Sequence, residues 1–500
     1  MKENRILAGL LAALMLVSAA ALAACSGENK TTPDAGPDAP VSTDVVTESA
    51  APEETREPTE MEKRALVSDG LPEKNFDGRT FRFIGTEGTE VMYVVDEQDG
   101  SVFNDALYDR NETVKSRFNV GIGMVPYMSY NLIQQIIAQA CRSGSADFDV
   151  VSYHFIANGT VAMAGLYQNL NDVPYIDFEK PWWNASNREE LTVNGKCFVA
   201  FGDIIADTAR FPYCYLYNKA MAKDVGTEDL YDVVRRGDWT IDYVKTICES
   251  AYSDADGDGT RNRGDRYGLA QQCQTSTGVY LWAFDNPIMA KGEDGMPTFV
   301  MNTEKLTDIV TKLCALFNDS PVYVAPKSDW SSHYEEFDSG NTLFLAAKLC
   351  DLEWMTGEVN FEVGVLPYPK WNAEQKRYQT MLEGSCESLG ITILEVGDKL
   401  EFDGIITEAL CAESYKKFMP VYYDILLMSR YADRPEDAEM IDLVINGCVM
   451  DIGYVYDAWN GAGFWLEGWV QANNTNITSY LKKATPGMEK YYARVVKMFE

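Results

Sequence analysis

The sequence is poor in histidine and lacks several short motifs that define enzyme classes. It has two histidines, His154 and His333, in 500 residues, and no His-Glu-x-x-His, Gly-x-Ser-x-Gly or Gly-x-x-x-x-Gly-Lys-Ser/Thr pattern. These patterns supply the zinc ligands of metalloproteases, the nucleophile of serine hydrolases and the phosphate-binding loop of nucleotide-hydrolysing enzymes. Their absence excludes these motif-defined classes, and we expect a protein that is not an enzyme.

Basic residues are also in the minority. The chain has 43 Lys and Arg against 76 Asp and Glu, which gives a formal net charge of -33. Binding to nucleic acid needs clustered Lys and Arg that neutralise phosphates. The charge balance therefore argues against nucleic acid as a partner, and it disfavours a polyanionic ligand as well.

A long apolar run occurs only at the N-terminus. Lys2 and Arg5 precede apolar residues 6–24, the layout of a secretory signal peptide. The run alone is also long enough for a membrane span, which needs about 20 residues. Leu22-Ala23-Ala24-Cys25 decides between the two, because it looks like a bacterial lipobox. We predict a signal peptide at 1–24 and a Cys25 that is diacylated, with palmitate-like chains, after cleavage.

The lipid on Cys25 predicts where the mature chain resides. Two acyl chains anchor a protein far better than one, since each buried methylene contributes ~0.8 kcal/mol. Residues 25–70 are rich in Pro, Thr, Ala, Ser and acidic residues, which predicts a disordered acidic tether. We therefore expect a lipoprotein of the cell membrane whose remaining residues lie on the extracellular face.

Ten cysteines follow Cys25, and their even number permits disulfides. None forms a Cys-x-x-Cys pair, and most lie in apolar or helical contexts such as the run ending at Cys248. We favour buried free thiols. The sequence leaves disulfide pairing open.

Strand and helix patterns alternate after the tether. Thr80–Ile84 and the stretches 119–125 and 147–152 are predicted strands, and 104–118 and 130–141 have helical apolar spacing. Strands that alternate with helices predict an α/β fold with a parallel sheet covered on both faces. About 440 residues follow the tether, enough for two lobes rather than one core.

Six short motifs occur in a fixed order along the chain. They are Asn194-Gly195-Lys196, Tyr217-Asn218-Lys219, Trp239-Thr240-Ile241-Asp242, Tyr267-Gly268-Leu269, Phe337-Asp338-Ser339-Gly340 and Gly364-Val365-Leu366-Pro367-Tyr368-Pro369. In this order they resemble family 1 of the bacterial extracellular solute-binding proteins, which includes the maltose-binding proteins. The resemblance covers the chain from about residue 75 to its end.

The resemblance implies an architecture and a function. The expected fold is the two-lobed periplasmic-binding-protein-like fold of type II, whose discontinuous lobes are joined by hinge strands and close over a ligand. We assign 75–209 plus 341–390 to lobe 1, and 210–340 plus 391–500 to lobe 2. The expected function is capture of a small ligand, a carbohydrate or oligosaccharide, by a monomer that delivers it to the permease subunits of an ABC importer.

The segment from Asp254 to Asp265 has the spacing of a calcium-binding loop. Its oxygen donors are Asp254, Asp256, Asp258, the Thr260 backbone carbonyl, Asn262 and Asp265, and Gly259 occupies the turn position. Asp265 replaces the usual glutamate, and its shorter side chain weakens a bidentate contact. We predict a structural calcium ion here, as in similar loops of the resembled family; the alternative is a solvated acidic turn.

Aromatic residues at predicted strand and loop ends are candidate ligand contacts, because flat rings stack on the apolar faces of sugars. The resemblance implies such roles for Tyr153, Trp354 and Trp459. Sequence context alone adds His154, Trp182, Trp183 and Trp465, and the first crossing between lobes contributes the polar pair Asp207 and Arg210. Core packing is an open alternative for each ring, and a surface ion pair for Asp207 and Arg210.

Two other function classes remain open from the sequence. Acidic pairs are abundant, so a surface glycoside-processing enzyme is not excluded by counting carboxylates. A cell-wall carbohydrate-binding adhesin also fits the anchor and tether, but it leaves the order of the six motifs unexplained. Whether the ligand is a sugar, a peptide or another polyol depends on the shape of the binding pocket, which the sequence does not specify.

Overall fold

Strands and helices alternate along most of the chain in the computed structural model, which describes residues 59–127, 130–355, 359–428, 435–456 and 461–500. The strands are β1 (Arg79–Thr86), β2 (Val120–Tyr127), β3 (Val150–His154), β4 (Tyr213–Asn218), β5 (Tyr267–Gln272), β6 (Met289–Lys291), β7 (Pro297–Phe299), β8 (Val322–Ala325), β9 (Thr342–Lys348), β10 (Val363–Leu366) and β11 (Glu387–Ile391). The α-helices are α1 (Glu60–Ala65), α2 (Val102–Phe118), α3 (Tyr130–Ser143), α4 (Phe155–Met163), α5 (Asp207–Arg210), α6 (Lys219–Val225), α7 (Leu230–Arg236), α8 (Ile241–Ala251), α9 (Thr275–Gly278), α10 (Tyr280–Ala283), α11 (Thr303–Cys314), α12 (Ser332–Asp338), α13 (Asp351–Met355), α14 (Asp398–Glu413), α15 (Met419–Met428), α16 (Pro435–Asn446), α17 (Ile452–Val455), α18 (Trp465–Gln471) and α19 (Thr478–Phe499). The predicted signal peptide at 1–24 and the predicted lipidation site Cys25 lie outside the described residues.

The first sheet has the strand order β11-β3-β1-β2. β1 is parallel to β2 and β3, whereas β11 runs antiparallel to β3 and pairs Glu387 with His154. Phe81 and Phe83 of β1 are fully buried while Arg82 between them is exposed, as expected for a strand whose side chains alternate between faces. The predicted β-α-β-α-β order of this region is confirmed.

The second sheet has the strand order β10-β4-β9-β5-β8. β5 is parallel to β8 and β9, and β4 is antiparallel to both of its neighbours, β9 and β10. A separate two-stranded hairpin joins β6 to β7. The described part of the chain therefore contains two mixed sheets, each with its own helices.

This topology corrects the predicted division into lobes. β9 and β10 were assigned to lobe 1 within 341–390, but both are hydrogen-bonded to β4 in the second sheet. The chain returns to the first sheet only at β11. The assignment of all of 391–500 to lobe 2 is also wrong, because Phe402 of α14 packs on Phe81 of the first sheet at a ring separation of 5.8 Å.

The chain then reaches the second sheet a second time. Tyr422 of α15 lies 6.3 Å from the Phe103 ring of α2, on the side of the first sheet. Asp437 of α16 accepts a hydrogen bond from Lys219 Nζ at 2.9 Å, on the side of the second sheet. The chain has therefore returned to the second sheet by α16.

Order begins earlier than the predicted tether end at residue 70. Thr59 caps α1, since its hydroxyl accepts a hydrogen bond from Glu62 N at 3.2 Å and its own backbone N–H donates to Glu62 Oε2 at 2.8 Å. The Arg64 guanidinium then lies 4.6 Å from the Tyr415 ring centroid. This capping box and the contact of Arg64 fix residues that composition alone assigned to a disordered segment.

All ten cysteines after Cys25 are free thiols, and all but Cys141 and Cys448 are buried. Their apolar surroundings explain the burial, because an uncharged thiol packs like a small hydrophobic side chain.

No helix within the described ranges combines the length and the apolar character that a membrane crossing requires.

Candidate functional site

The two sheets present their carboxyl edges to the segments that connect them. In the first sheet β1, β2 and β3 end at Thr86, Tyr127 and His154. In the second sheet β5, β8 and β9 end on a common edge. Open α/β sheets bind ligands outside the carboxyl ends of their strands, where the chain changes direction. This rule places the candidate site between the two edges.

Two crossing segments run side by side between these edges. The first, 206–213, is bound to the first sheet by a hydrogen bond from Glu387 N to Asp207 Oδ2 at 2.9 Å, and it ends in β4. The second, 380–387, pairs with it through Pro212 and Leu382 and then enters β11. The crossings form a narrow ribbon that walls the cleft on one side and suits a hinge.

Arg210 joins residues from both lobes at this ribbon. Its Nε and Nη2 atoms donate to the two carboxylate oxygens of Glu353 at 3.2 and 3.1 Å. Tyr422 donates to Glu353 Oε1 at 2.6 Å, and Asp207 Oδ1 lies 3.7 Å from Arg210 Nη1. Arg210 and Glu353 remain 20% and 25% exposed, so both can contact a ligand. Burial lowers the pKa of Arg210, but Glu353 outweighs this effect and holds it above its ordinary value.

A buried acidic pair lies behind this network. Tyr93 donates a hydrogen bond to Glu387, and Ser152 Oγ lies 3.2 Å from the same Oε2 atom. Burial raises the pKa of both Asp207 and Glu387, and the proximity of the two carboxyl groups raises the pKa of Glu387 further. Asp207 thus fixes the crossing to the first sheet, while Arg210, three residues later, faces the cleft.

Two further titratable side chains flank the ribbon. His154 is half-buried at the end of β3, where burial lowers its pKa and Glu383 of the second crossing opposes the shift. Lys348 at the end of β9 lies 5.7 Å from the Phe211 ring centroid of the first crossing. Burial lowers the pKa of Lys348, but Asp351, Cys350 and Glu383 together outweigh this effect and raise it.

The predicted aromatic contacts divide between core and cleft edge. Trp182 and Trp183 are buried and both donate their indole N–H groups to Glu408 of α14, each at 2.8 Å. They belong to the core of the first lobe, which corrects their predicted ligand role. Tyr153 is also fully buried, within β3, one residue before the cleft edge.

The remaining predicted rings lie in the C-terminal half of the chain. Trp465 begins α18 and packs against Tyr480 at a ring separation of 5.6 Å. Burial raises the pKa of Glu467 in the same helix to about 7, and the charge of Lys327, in the loop after β8, partly opposes this shift. The helix α18 therefore lies beside the edge of the second sheet. Trp459 and the side chain of Trp354 lie outside the described residues, although α13 carries Glu353 to Arg210.

Trp330 is a candidate contact that the sequence analysis missed. It is 57% exposed in the loop after β8, at the carboxyl edge of the second sheet. An exposed indole at this position is suited to stacking on a ligand. The signal available in the sequence was a tryptophan within the polar run Ser328-Asp329-Trp330-Ser331, which follows the short apolar run Val322-Tyr323-Val324-Ala325.

The predicted calcium loop has the conformation that cation coordination requires. Asp254 accepts backbone hydrogen bonds from Gly257 and Gly259 at 2.7 and 2.8 Å, so the chain wraps around its carboxylate. One carboxylate oxygen each of Asp254, Asp256 and Asp265 lies within 4.8 Å of the others. Gly259 has a φ of 77°, which only glycine adopts without strain. The residues therefore fit a hard cation with oxygen ligands.

Asp258, Thr260 and Asn262 complete this loop. Asp258 Oδ1 accepts a hydrogen bond from Thr260 N at 2.6 Å, and its Oδ2 accepts one from Asn262 Nδ2 at 3.2 Å. Asp265 is buried and accepts hydrogen bonds from Ala255 N and Asn262 N at 3.0 and 3.2 Å. The loop precedes β5 and lies at the amino edge of the second sheet, away from the ribbon.

Comparisons with known proteins support this architecture. No family model matches the sequence, and no curated protein matches it. Among solved structures, an ABC substrate-binding protein of Listeria monocytogenes in complex with cycloalternan is similar with a TM-score of 0.55 at 14% identity, over 83% of this chain and 100% of that chain. A sugar transporter of Rhizobium etli in an open conformation gives 0.53 at 14% identity, over 82% and 99%. The GacH receptor of Streptomyces glaucescens, solved unliganded and with acarbose, gives 0.51 at 13% identity, over 84% and 99%. At these identities the similarity establishes the fold, and the expected two-lobed α/β architecture is confirmed.

Proposed function

We propose that this chain is the solute-binding component of an ABC importer and that it captures a carbohydrate between its two lobes without altering it. The observation that carries the proposal is the ribbon of crossings between the two sheet edges, where Arg210 of the first crossing binds Glu353 of the second lobe. The similar structures span nearly their whole length on this chain and are named as an ABC substrate-binding protein, a sugar transporter and a receptor that binds acarbose.

The cleft offers the chemistry that carbohydrates need. Trp330 presents an exposed ring, while Arg210, Glu353 and Lys348 supply charged hydrogen-bonding groups along the ribbon. Sugar sites combine apolar faces with a few placed polar groups in this way. We assign ligand contact to these four residues and to His154, with Asp207 positioning Arg210. Trp354, Trp459 and Trp465 remain proposed ring contacts.

The experiment is a thermal-shift screen of the soluble domain with cycloalternan, acarbose and linear malto-oligosaccharides, followed by analysis of the sugars. A bound sugar at a hundred times its dissociation constant stabilises the folded state by about 2.7 kcal/mol. We expect at least one sugar to raise the melting temperature and to be recovered intact. Cleaved sugar would favour the glycoside-processing alternative, and no shift with any carbohydrate would contradict a sugar ligand.

We further propose that the mature chain is a monomeric lipoprotein at the extracellular face of the cell membrane, anchored through Cys25 and serving membrane-embedded permease subunits. The support is the basic, apolar and small-residue pattern that ends at Cys25. Cys25→Ala removes the only thiol at the processing site, so the variant should be released from membranes or stay unprocessed. A Cys25→Ala protein that is fully matured and still membrane-bound would contradict the anchor.

A structural calcium ion in the loop from Asp254 to Asp265 is also part of this proposal. The three convergent carboxylates at its centre and the glycine turn support it. Because the loop lies at the edge of the second sheet away from the ribbon, the ion would stabilise the lobe and not contact the sugar.

A further inference from the structure

A second acidic cluster lies in the first lobe, at the edge of its sheet opposite the cleft. Asp149 immediately precedes β3, Glu395 follows β11, and Asp403 projects from α14. One carboxylate oxygen of each lies within 4.8 Å of the others. Unlike the exposed loop of the second lobe, all three side chains are buried, with residue exposures of 9%, 3% and 0%.

The hydrogen bonding of this cluster is incomplete. Both oxygens of Asp403 and Oε2 of Glu395 are buried without a hydrogen-bond partner among the described residues. Arg79 Nη2 binds Asp149 Oδ1 at 2.7 Å but stays 3.9 Å from Asp403, and its guanidinium lies 3.6 Å from the Phe402 ring centroid. An unpaired buried carboxylate costs several kcal/mol, so these groups must bind either a proton or a further cation.

The cluster is reachable from solvent. Asp149 and Glu395 line a cavity of about 370 Å³, together with Asp147 and Lys399. The cluster and the cavity carry four carboxylates, Asp147 included, against three cationic side chains, Arg79, Arg82 and Lys399. The cavity therefore leads to a site that is short of positive charge and has room for water ligands.

We propose that Asp149, Glu395 and Asp403 bind a hard divalent cation, calcium in preference to magnesium, which ties α14 and the segment after β11 to the start of β3. Carboxylate oxygens suit such cations. Magnesium usually keeps several waters and is held by one or two carboxylates, whereas calcium accepts more protein oxygens in a flexible geometry. Three converging carboxylates therefore favour calcium. Since β4–β10 of the second lobe lie between Asp149 and Asp403 in sequence, the ion joins two separate segments of a discontinuous lobe.

The test counts calcium ions per chain by native mass spectrometry and titrates the full chain with CaCl2 calorimetrically. Asp254→Asn disables the loop of the second lobe, so any ion that remains reports on the first lobe. In that background, Asp403→Asn and, separately, Glu395→Gln should each abolish binding of the remaining calcium ion or lower its affinity at least about tenfold. Asp147→Asn, which alters the same cavity outside the cluster, should retain it.

The outcomes separate a cation site from a cluster held by shared protons. Removing a carboxylate from a true site abolishes the rise in melting temperature that calcium gives in the Asp254→Asn background. The proposal is overturned if Asp254→Asn alone abolishes calcium binding, or if Asp403→Asn and Glu395→Gln leave the ion count and the calcium-dependent stabilisation unchanged. Glu395→Gln supplies the answer if Asp403→Asn does not fold, because Glu395 lies at the cavity and not beneath it.

Discussion

Arg210 is the side chain through which the first crossing touches both lobes. Replacing it with alanine removes a bidentate partner of Glu353 and leaves that half-buried carboxylate without its cation. We expect Arg210→Ala to weaken sugar binding at least about tenfold, or about 1.4 kcal/mol, in calorimetric titration.

Arg235→Ala is the matched control for this substitution. Arg235 also binds a glutamate, Glu439, through two nitrogen atoms, but it does so on the surface of the second lobe. Surface pairs of this kind contribute at most about 1 kcal/mol to stability. Equal sugar affinities for the two variants would remove Arg210 from the binding site.

Glu408 explains why Trp182 and Trp183 are core residues, and it predicts a pH effect. Burial raises the pKa of Glu408 to about 8, although both indole N–H groups oppose the shift. An exposed glutamate has a pKa of about 4.3, so the folded chain retains a proton that the unfolded chain releases. Stability should therefore fall as pH rises from about 4.3 to about 8 and then level off.

Urea unfolding at pH 5 and pH 8 measures this contribution. Glu408→Gln cannot ionise, so its loss of stability between the two pH values should be smaller than that of the wild type. A pKa difference of one between folded and unfolded chains is worth about 1.4 kcal/mol. Glu489→Gln, at an exposed position of α19, should behave as the wild type; identical pH dependence in both variants would refute a protonated Glu408.

The sequence placed Asp207 and Arg210 at a crossing between the sheets, where the structure has them, but it did not predict the burial of Trp182 and Trp183. Asp207 and Arg210 were predictable because a crossing between two α/β lobes must border the cleft. The burial of Trp182 and Trp183 was not predictable, because their hydrogen-bond partner Glu408 lies 225 or more residues away in sequence. Whether a ring is buried or exposed depends on packing against residues that are distant in sequence. Trp330 illustrates the opposite case, because its ring is exposed.

The same limit applies to whole strands and helices. The helix–strand alternation of the first lobe was readable because each element has a local apolar period. β9 and β10 were assigned to the wrong sheet because both are buried nearly throughout, so their pattern does not indicate which strand they pair with. By contrast, α1 carried a readable start signal, Thr59 followed by Glu62, that the composition of the tether concealed.

The loop from Asp254 to Asp265 is the element whose prediction is most directly testable. Chelation with EDTA should lower the melting temperature of the soluble domain, because the loop carboxylates then repel one another without a cation. Asp254→Asn should reduce this dependence on EDTA. Asp294→Asn changes another acidic turn residue that accepts a backbone hydrogen bond, from Met296 N at 3.0 Å, and should leave the dependence unchanged. An Asp254→Asn protein with wild-type sensitivity to EDTA would identify the loop as a solvated turn.

The whole molecule consists of two lobes that the chain enters more than once. The first lobe combines β1–β3 with β11 and α14, while the second contains β4–β10 and α16. Folding of either lobe therefore needs segments that are far apart in sequence, and the crossings are fixed at both ends by the sheets they join. Motion concentrates in such short connections, because each lobe moves as a packed unit.

In the proposed function, ligand binding and lobe closure are one process. A sugar that contacts both walls stabilises the closed state by its differential affinity, and a preference of about 10⁴-fold shifts the population from mostly open to mostly closed. Arg210 and Glu353 are hydrogen-bonded to each other at the ribbon. A ligand that contacts both residues therefore links binding to closure at the proposed hinge.

The most direct test is small-angle X-ray scattering of the soluble domain with and without the sugar identified by the thermal-shift screen, at concentrations set by calorimetry. We predict one binding site per chain, a smaller radius of gyration at saturation, and sugar recovered unchanged. Saturation without any compaction, or turnover of the sugar during the measurement, would contradict a binding protein that closes two lobes around its ligand.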